Sequence, residues 1–181
     1  MDQLSLHPEA LEDLRRSGLD DSTIAAAGLH TPAPVDLPRL LSARLVDQVR
    51  HVLVFPYDGA PHGALWRRDD EFVRCKLFPP VNDGQGHTIR YYQRAGTPPR
   101  LYIPARARAA LADPTVPLLI TEGEKKALKA NQDGLACVAV GGLWNWQVGG
   151  RPVADLDRID WYERETLIVP DSDVWTRSDL L

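Results

Sequence analysis

The chain has 181 residues, a net charge of −4, 44% apolar residues and 25% charged residues. That composition belongs to a globular protein long enough to bury a core without staples. Two cysteines, Cys75 and Cys137, exclude a disulfide framework and a cysteine-built zinc site. No apolar run reaches the ~18 residues of a membrane span. The acidic N-terminus lacks the basic and apolar parts of a signal peptide, so the expectation is a cytoplasmic protein with no membrane partner.

The first elements read as a helical hairpin. Pro8 stands at the start of a helix carrying Leu11 and Leu14, and Ser17-Gly18 ends it. Asp20 or Asp21 can cap a second helix over 22–27, closed by Gly28. Three prolines in 31–38 predict a linker. Extended segments follow at 49–57, 63–68, 72–78, 88–94 and 100–104, with a turn signal over 82–86. The period then changes. Residues 105–112 and 122–134 predict helices, 141–150 a loop, and 153–162 a helical segment. The apolar runs 117–121, 135–140 and 165–170 predict three buried strands of a parallel sheet. These elements divide into a helical hairpin and linker (1–38), a strand-rich α+β subdomain (39–112) and an α/β module (113–181).

Charge follows the same division. Residues 1–38 carry net −5, 39–110 net +6 and 111–181 net −5. A basic middle segment suits an anionic partner such as nucleic acid. Arg90, Arg94 and Arg100 alternate there with Tyr91, Tyr92 and Tyr102, a mixture suited to phosphate contact and base stacking; a half-buried sheet with a charged outer face gives the same pattern. Five histidines, at 7, 30, 51, 62 and 87, lie singly without metal-ligand spacing. Cys75 and Cys137 sit in apolar strand sequence and read as structural.

Carboxylates stand at two predicted strand ends. Glu122, with Gly123 and Glu124, follows the strand LLIT; Asp171 and Asp173 follow LIVP. Ligands of open parallel sheets sit outside the carboxyl ends of the strands. Two carboxylates at Asp-x-Asp spacing share a face in extended chain. An all-oxygen set of this kind suits a hard divalent ion that reaches substrate phosphates. Singly, Glu122 can serve the helix start and Asp171 a turn; their combination points to chemistry.

The segments LLITEGEKKALKANQDGLACVAVGG and ETLIVPDSD resemble the Toprim domain, the Rossmann-like parallel-sheet module of bacterial-type primases, topoisomerases and some nucleases. TEGEKKALKA and GGLWNW look closer still to a Toprim-like domain of unknown function in phage, plasmid and integrative-element replication proteins. The order of VLVFPYDGAPHGALWRR, IRYYQRAGTPPRLYIP and the glutamate motif is similar to the bacterial primase core, so the resemblance spans about 49–181. It implies a nucleotidyltransferase acting in DNA replication. Glu122, Asp171 and Asp173 would be its catalytic and metal-binding residues, with Mg2+ or Mn2+ as cofactor. Lys125 and Lys126 match basic positions that could meet phosphate, and Trp144 and Trp146 match an aromatic pair. Single-stranded DNA and nucleotides would be its partners, with a helicase domain or subunit beside it. Arg67, Arg68, Arg90 and Arg94 are assigned to template or initiating nucleotide by charge and position. Eight residues follow Asp173, where the Toprim pattern continues with a strand and a helix, so an incomplete module is expected. Two other functions fit the same resemblance: a non-catalytic nucleic-acid-binding accessory domain, and a metal-dependent Toprim nuclease.

Overall fold

The structure, a computed structural model, describes residues 5–57, 72 and 74–176, with the side chains of Asp173 and Trp175 set aside. Arg67, Arg68, His62 and the extended segment expected at 63–68 lie outside the described residues. The chain divides into two compact units, Met1–Thr97 and Pro98–Leu181. The helical hairpin and the strand-rich segment therefore share one unit. The boundary precedes the division expected at 112/113.

In the first unit, α1 (Pro8–Arg16) and α2 (Asp21–Ala26) form the hairpin. Asp20 caps α2 by accepting from the Thr23 amide at 2.7 Å. Gly18 and Gly28, at φ +79° and +64°, supply the left-handed turns after each helix. The proline-rich segment is not a linker. Pro34–Asp36 forms a 3-10 turn that runs into α3 (Leu37–Leu40), and α4 (Ala43–Val46) follows. Leu37, Leu41 and Leu45 recur at four-residue spacing, and all three are buried with Val49, Val52, Val54, Cys75, Leu77 and Val81. Proline tolerates a helix's first turn, so burial of this leucine stripe decides the structure.

Three antiparallel strands complete the unit in the order β1-β2-β3: β1 (His51–Phe55), β2 (Arg74–Asn82) and β3 (Thr88–Gln93). The β2–β3 register shifts between Lys76 and Val81. Pro79 and Pro80 lie there and cannot donate to a ladder. Lys76 Nζ reaches Asp13 Oδ1 at 2.6 Å, fastening β2 to α1.

The second unit holds α5 (Arg108–Leu111), β4 (Leu118–Glu122), α6 (Glu124–Gln132), β5 (Cys137–Val140), the short hairpin β6 (Gln147–Val148) and β7 (Arg151–Pro152), and β8 (Thr166–Val169). Strands β5, β4 and β8 form a parallel sheet in that order, so the predicted α/β class holds. Asn131 of α6 donates to the carbonyls of Ala127 and Cys137 at 2.8 and 2.7 Å, tying the helix to β5. Burial pushes the Cys137 thiol up to about 11, as suits a structural cysteine.

Five local expectations change. Residues 100–104 contribute one bridge, Tyr102 to Ala139, rather than a strand. Residues 105–112 split into a 3-10 turn, Ala105–Ala107, and α5. The loop 141–150 contains β6, and 153–162 contains a 3-10 helix, Ala154–Arg158, rather than an α-helix. Strand β8 pairs with its neighbour as expected, but it is exposed rather than buried, Ile168 reaching 75%. Among the described residues it is an edge strand with β4 on one side, and its apolar sequence TLIV stays at the surface.

Asp155 organises the far side of this unit. It is 3% exposed and accepts from Arg100 Nε and Nη2 at 2.7 and 2.9 Å. It also accepts from the Leu101 amide at 3.0 Å and from Arg158 at 2.9 Å.

Candidate functional site

The chain leaves central strand β4 toward β5 through α6, then crosses back to enter β8 on β4's other side. Strand order thus reverses between β4 and β8, and such a switch point opens a crevice at the carboxyl ends of the strands. Leu118, Leu119, Ile120 and Thr121 pair with Thr166, Leu167, Ile168 and Val169. Thr121 Oγ1 donates to the Val169 carbonyl at 2.9 Å, locking that register at its end. One step on, Glu122 is the last residue of β4 and stands level with Pro170, the residue before Asp171. Neighbouring strands run about 4.8 Å apart, so the two acidic positions leave the sheet at one crevice.

Gly123 makes the turn from Glu122 into α6, at φ +86° and ψ 139°. That conformation is open to glycine and strained for a residue with a Cβ. Nothing crowds a Cβ there, so the cost is one of backbone. Gly123→Ala is expected to destabilise the second unit by about 1–3 kcal/mol, readable as a lower urea midpoint. The first turn of α6 then presents Lys126, whose ammonium contacts Asp171 Oδ1. Lys126 is exposed and at the same time paired with Asp171 across the crevice. The Glu122 side chain makes no hydrogen bond or ion pair among the described residues. Glu124, beside it, is 2% exposed and sits where an acid favours the positive end of a helix.

After Asp171 the chain does not stay extended. Ser172–Trp175 forms a 3-10 turn, and the Val174 amide donates to the Asp171 carbonyl at 3.1 Å. The period-two argument for a shared Asp171–Asp173 face therefore does not apply, and the side chain of Asp173 lies outside the described residues.

A cavity of about 700 Å³ adjoins the crevice. Glu122 and Pro170 line it together with Ile168 and three tryptophans, Trp144, Trp146 and Trp161. The rings are partly exposed, at 60%, 41% and 41%. Trp161 is held by its indole N–H, which donates to the Leu156 carbonyl at 2.9 Å. Sequence reasoning singled out Trp144 and Trp146 but missed Trp161, whose separation in sequence carried no signal.

Residues 108–173 match a family model described as a domain of unknown function (DUF3854). The matched stretch spans α5 through Asp173, well under half of the chain, and contains both acidic clusters and all three tryptophans. No curated protein matches the chain.

The basic candidates separate. Arg90 and Arg94 are exposed, at β3 and just after it, and Arg94 donates to the Arg39 carbonyl at 2.6 Å. Arg100 is consumed by Asp155, so it does not serve as a phosphate contact. Histidines also differ from expectation. His7 and His51, which stand alone in sequence, are brought together with Glu9 in the first unit. Among the described residues no helix is long and apolar enough to cross a membrane.

Proposed function

We propose that the chain is a primase-type nucleotidyl-transfer module that acts on single-stranded DNA in the replication of a mobile element. The reading rests on one observation: Glu122 ends β4 and Asp171 follows β8 by two residues, at the two strands that flank the reversal of strand order. Both offer carboxylate oxygens, the donors preferred by Mg2+ and Mn2+. The donor set fits such an ion, because Asp171 already draws a cationic group, Lys126, to its side. Glu122, Asp171 and Asp173 would hold the metal, which supplies charge to neutralise phosphate oxygens. Lys126, with Lys125 next to it, would turn from the carboxylate toward an incoming triphosphate. Arg90 and Arg94 would meet the template backbone, adding the salt dependence of phosphate contacts. A helicase, as a further domain or a subunit, is the expected partner.

The tryptophan-lined cavity favours a second reading, non-catalytic nucleic-acid binding, since exposed indoles beside a phosphate site suit base stacking. A metal-dependent nuclease would use the same carboxylates. One assay separates the three. Purified chain with Mg2+ or Mn2+, single-stranded DNA and nucleotides is expected to yield short primers. Strand cutting would assign the nuclease instead. Salt-sensitive binding with neither product would assign the binding domain.

A further inference from the structure

The first unit contains a second group of ligating side chains, remote in sequence from the acidic crevice. His7 precedes α1, Glu9 lies in its first turn, and His51 opens β1. One ligating atom from each lies within 4.8 Å of the others. We propose that His7, Glu9 and His51 form a binding site for one divalent transition-metal ion, with Zn2+ the ion that best suits it.

His51 carries the argument. Its side chain is 7% exposed, sandwiched between His7 at 3.6 Å and Phe78 at 4.8 Å between ring centroids. Its Nε2 is buried without a hydrogen-bond partner. A buried ring nitrogen left open is costly unless something fills the place. The nearest acid is Glu9, with Oε2 at 3.7 Å from that nitrogen. This spacing is too long for a hydrogen bond. It is a few tenths of an ångström beyond the ~3.3 Å that separates two ligand atoms bound at ~2.0–2.1 Å to a tetrahedral zinc ion, so a small side-chain shift closes the site.

The ligand set selects the metal. Two imidazoles and one carboxylate favour Zn2+ over Mg2+ or Ca2+, which take oxygen ligands. Three protein ligands leave a tetrahedral ion one open position. Arg50 donates to Glu9 Oε2 at 3.2 Å, orienting the carboxylate. His7 currently accepts from the Glu9 amide through Nδ1 at 3.2 Å. Coordination through Nδ1 displaces that amide. Coordination through Nε2 moves the ring proton to Nδ1, which can then no longer accept. Either way the ion replaces the cap, and the Glu9 amide reports it.

The test uses the full chain, stripped with chelator and titrated with Zn2+ alone, and with Co2+ for its absorption bands. The expected result is one ion per chain, a shifted Glu9 amide resonance, and affinity weakened at least about 100-fold by His7→Gln or Glu9→Gln. That loss exceeds the ~10–100-fold typical of outer-shell partners. Both side chains are at least partly exposed, and unchanged circular dichroism would show that both variants fold. Asp171→Asn should leave the affinity as it is. The proposal is overturned if Zn2+ does not bind stoichiometrically, if both folded variants bind it as tightly as the parent, or if Asp171→Asn abolishes binding.

Discussion

Glu122→Gln and Asp171→Asn are each expected to reduce metal-dependent nucleotide incorporation by at least about 100-fold, beyond the effect of losing an outer-shell partner. The two changes keep shape and remove charge. The Glu122 side chain has no hydrogen bond or ion pair to lose among the described residues, so stability should stay within about 0.5 kcal/mol of the parent. Asp171→Asn also gives up the exposed pair with Lys126, a contact worth little in itself. Lys126→Ala separates the pairing from the chemistry. If the lysine meets triphosphate, its loss raises KM for nucleotide; if it only balances Asp171, incorporation survives. Parallel measurements of primer yield and urea midpoint check all three. Undiminished incorporation in Glu122→Gln would remove the crevice from the reaction.

The largest effect on stability is expected at Asp155. Asp155→Ala leaves Arg100 and Arg158, 18% and 11% exposed in their side chains, facing a buried gap. Breaking a buried pair from one side costs about 3–5 kcal/mol, to be read as a fall in the urea midpoint of the second unit. Acid acts on the same group. Burial opposes ionisation of Asp155, but the bonds from Arg100, the Leu101 amide and Arg158 outweigh it and lower its pKa. A lowered folded-state pKa means that the unfolded chain takes up the proton first. The stabilisation is therefore complete above the unfolded value of ~3.9 and lost as pH falls through the lower folded value. Asp155→Asn should flatten the acid limb of the stability profile, and an unchanged slope below pH 4 would place the acid sensitivity elsewhere.

How much of this was legible in sequence follows from the range of the forces involved. Asp20 as a cap and Gly18 and Gly28 as helix ends are set within a few residues, and they read correctly, while the helix expected from residue 122 starts at Glu124. The parallel strands read correctly too, because apolar runs bounded by turns carry their own signal. Residues 31–38 did not. Their prolines argue locally for a linker, while the burial of Leu37 beside Leu41 and Leu45 is a tertiary fact. Arg100 reads as a nucleic-acid contact until Asp155, 55 positions on, claims its guanidinium.

By itself the sequence determined the two acidic strand ends, the basic central segment and the α/β order of the C-terminal half, since these depend on residue type and local periodicity. Only the tertiary structure decided the rest. Register and strand order set Glu122 level with Pro170, and Lys126 against Asp171. The edge position of β8 leaves an apolar strand exposed. The packing of α1 on β1 joins His7 and Glu9 to His51. Each of these is a contact between residues dozens of positions apart, fixed by which faces bury together, and no local propensity carries that information.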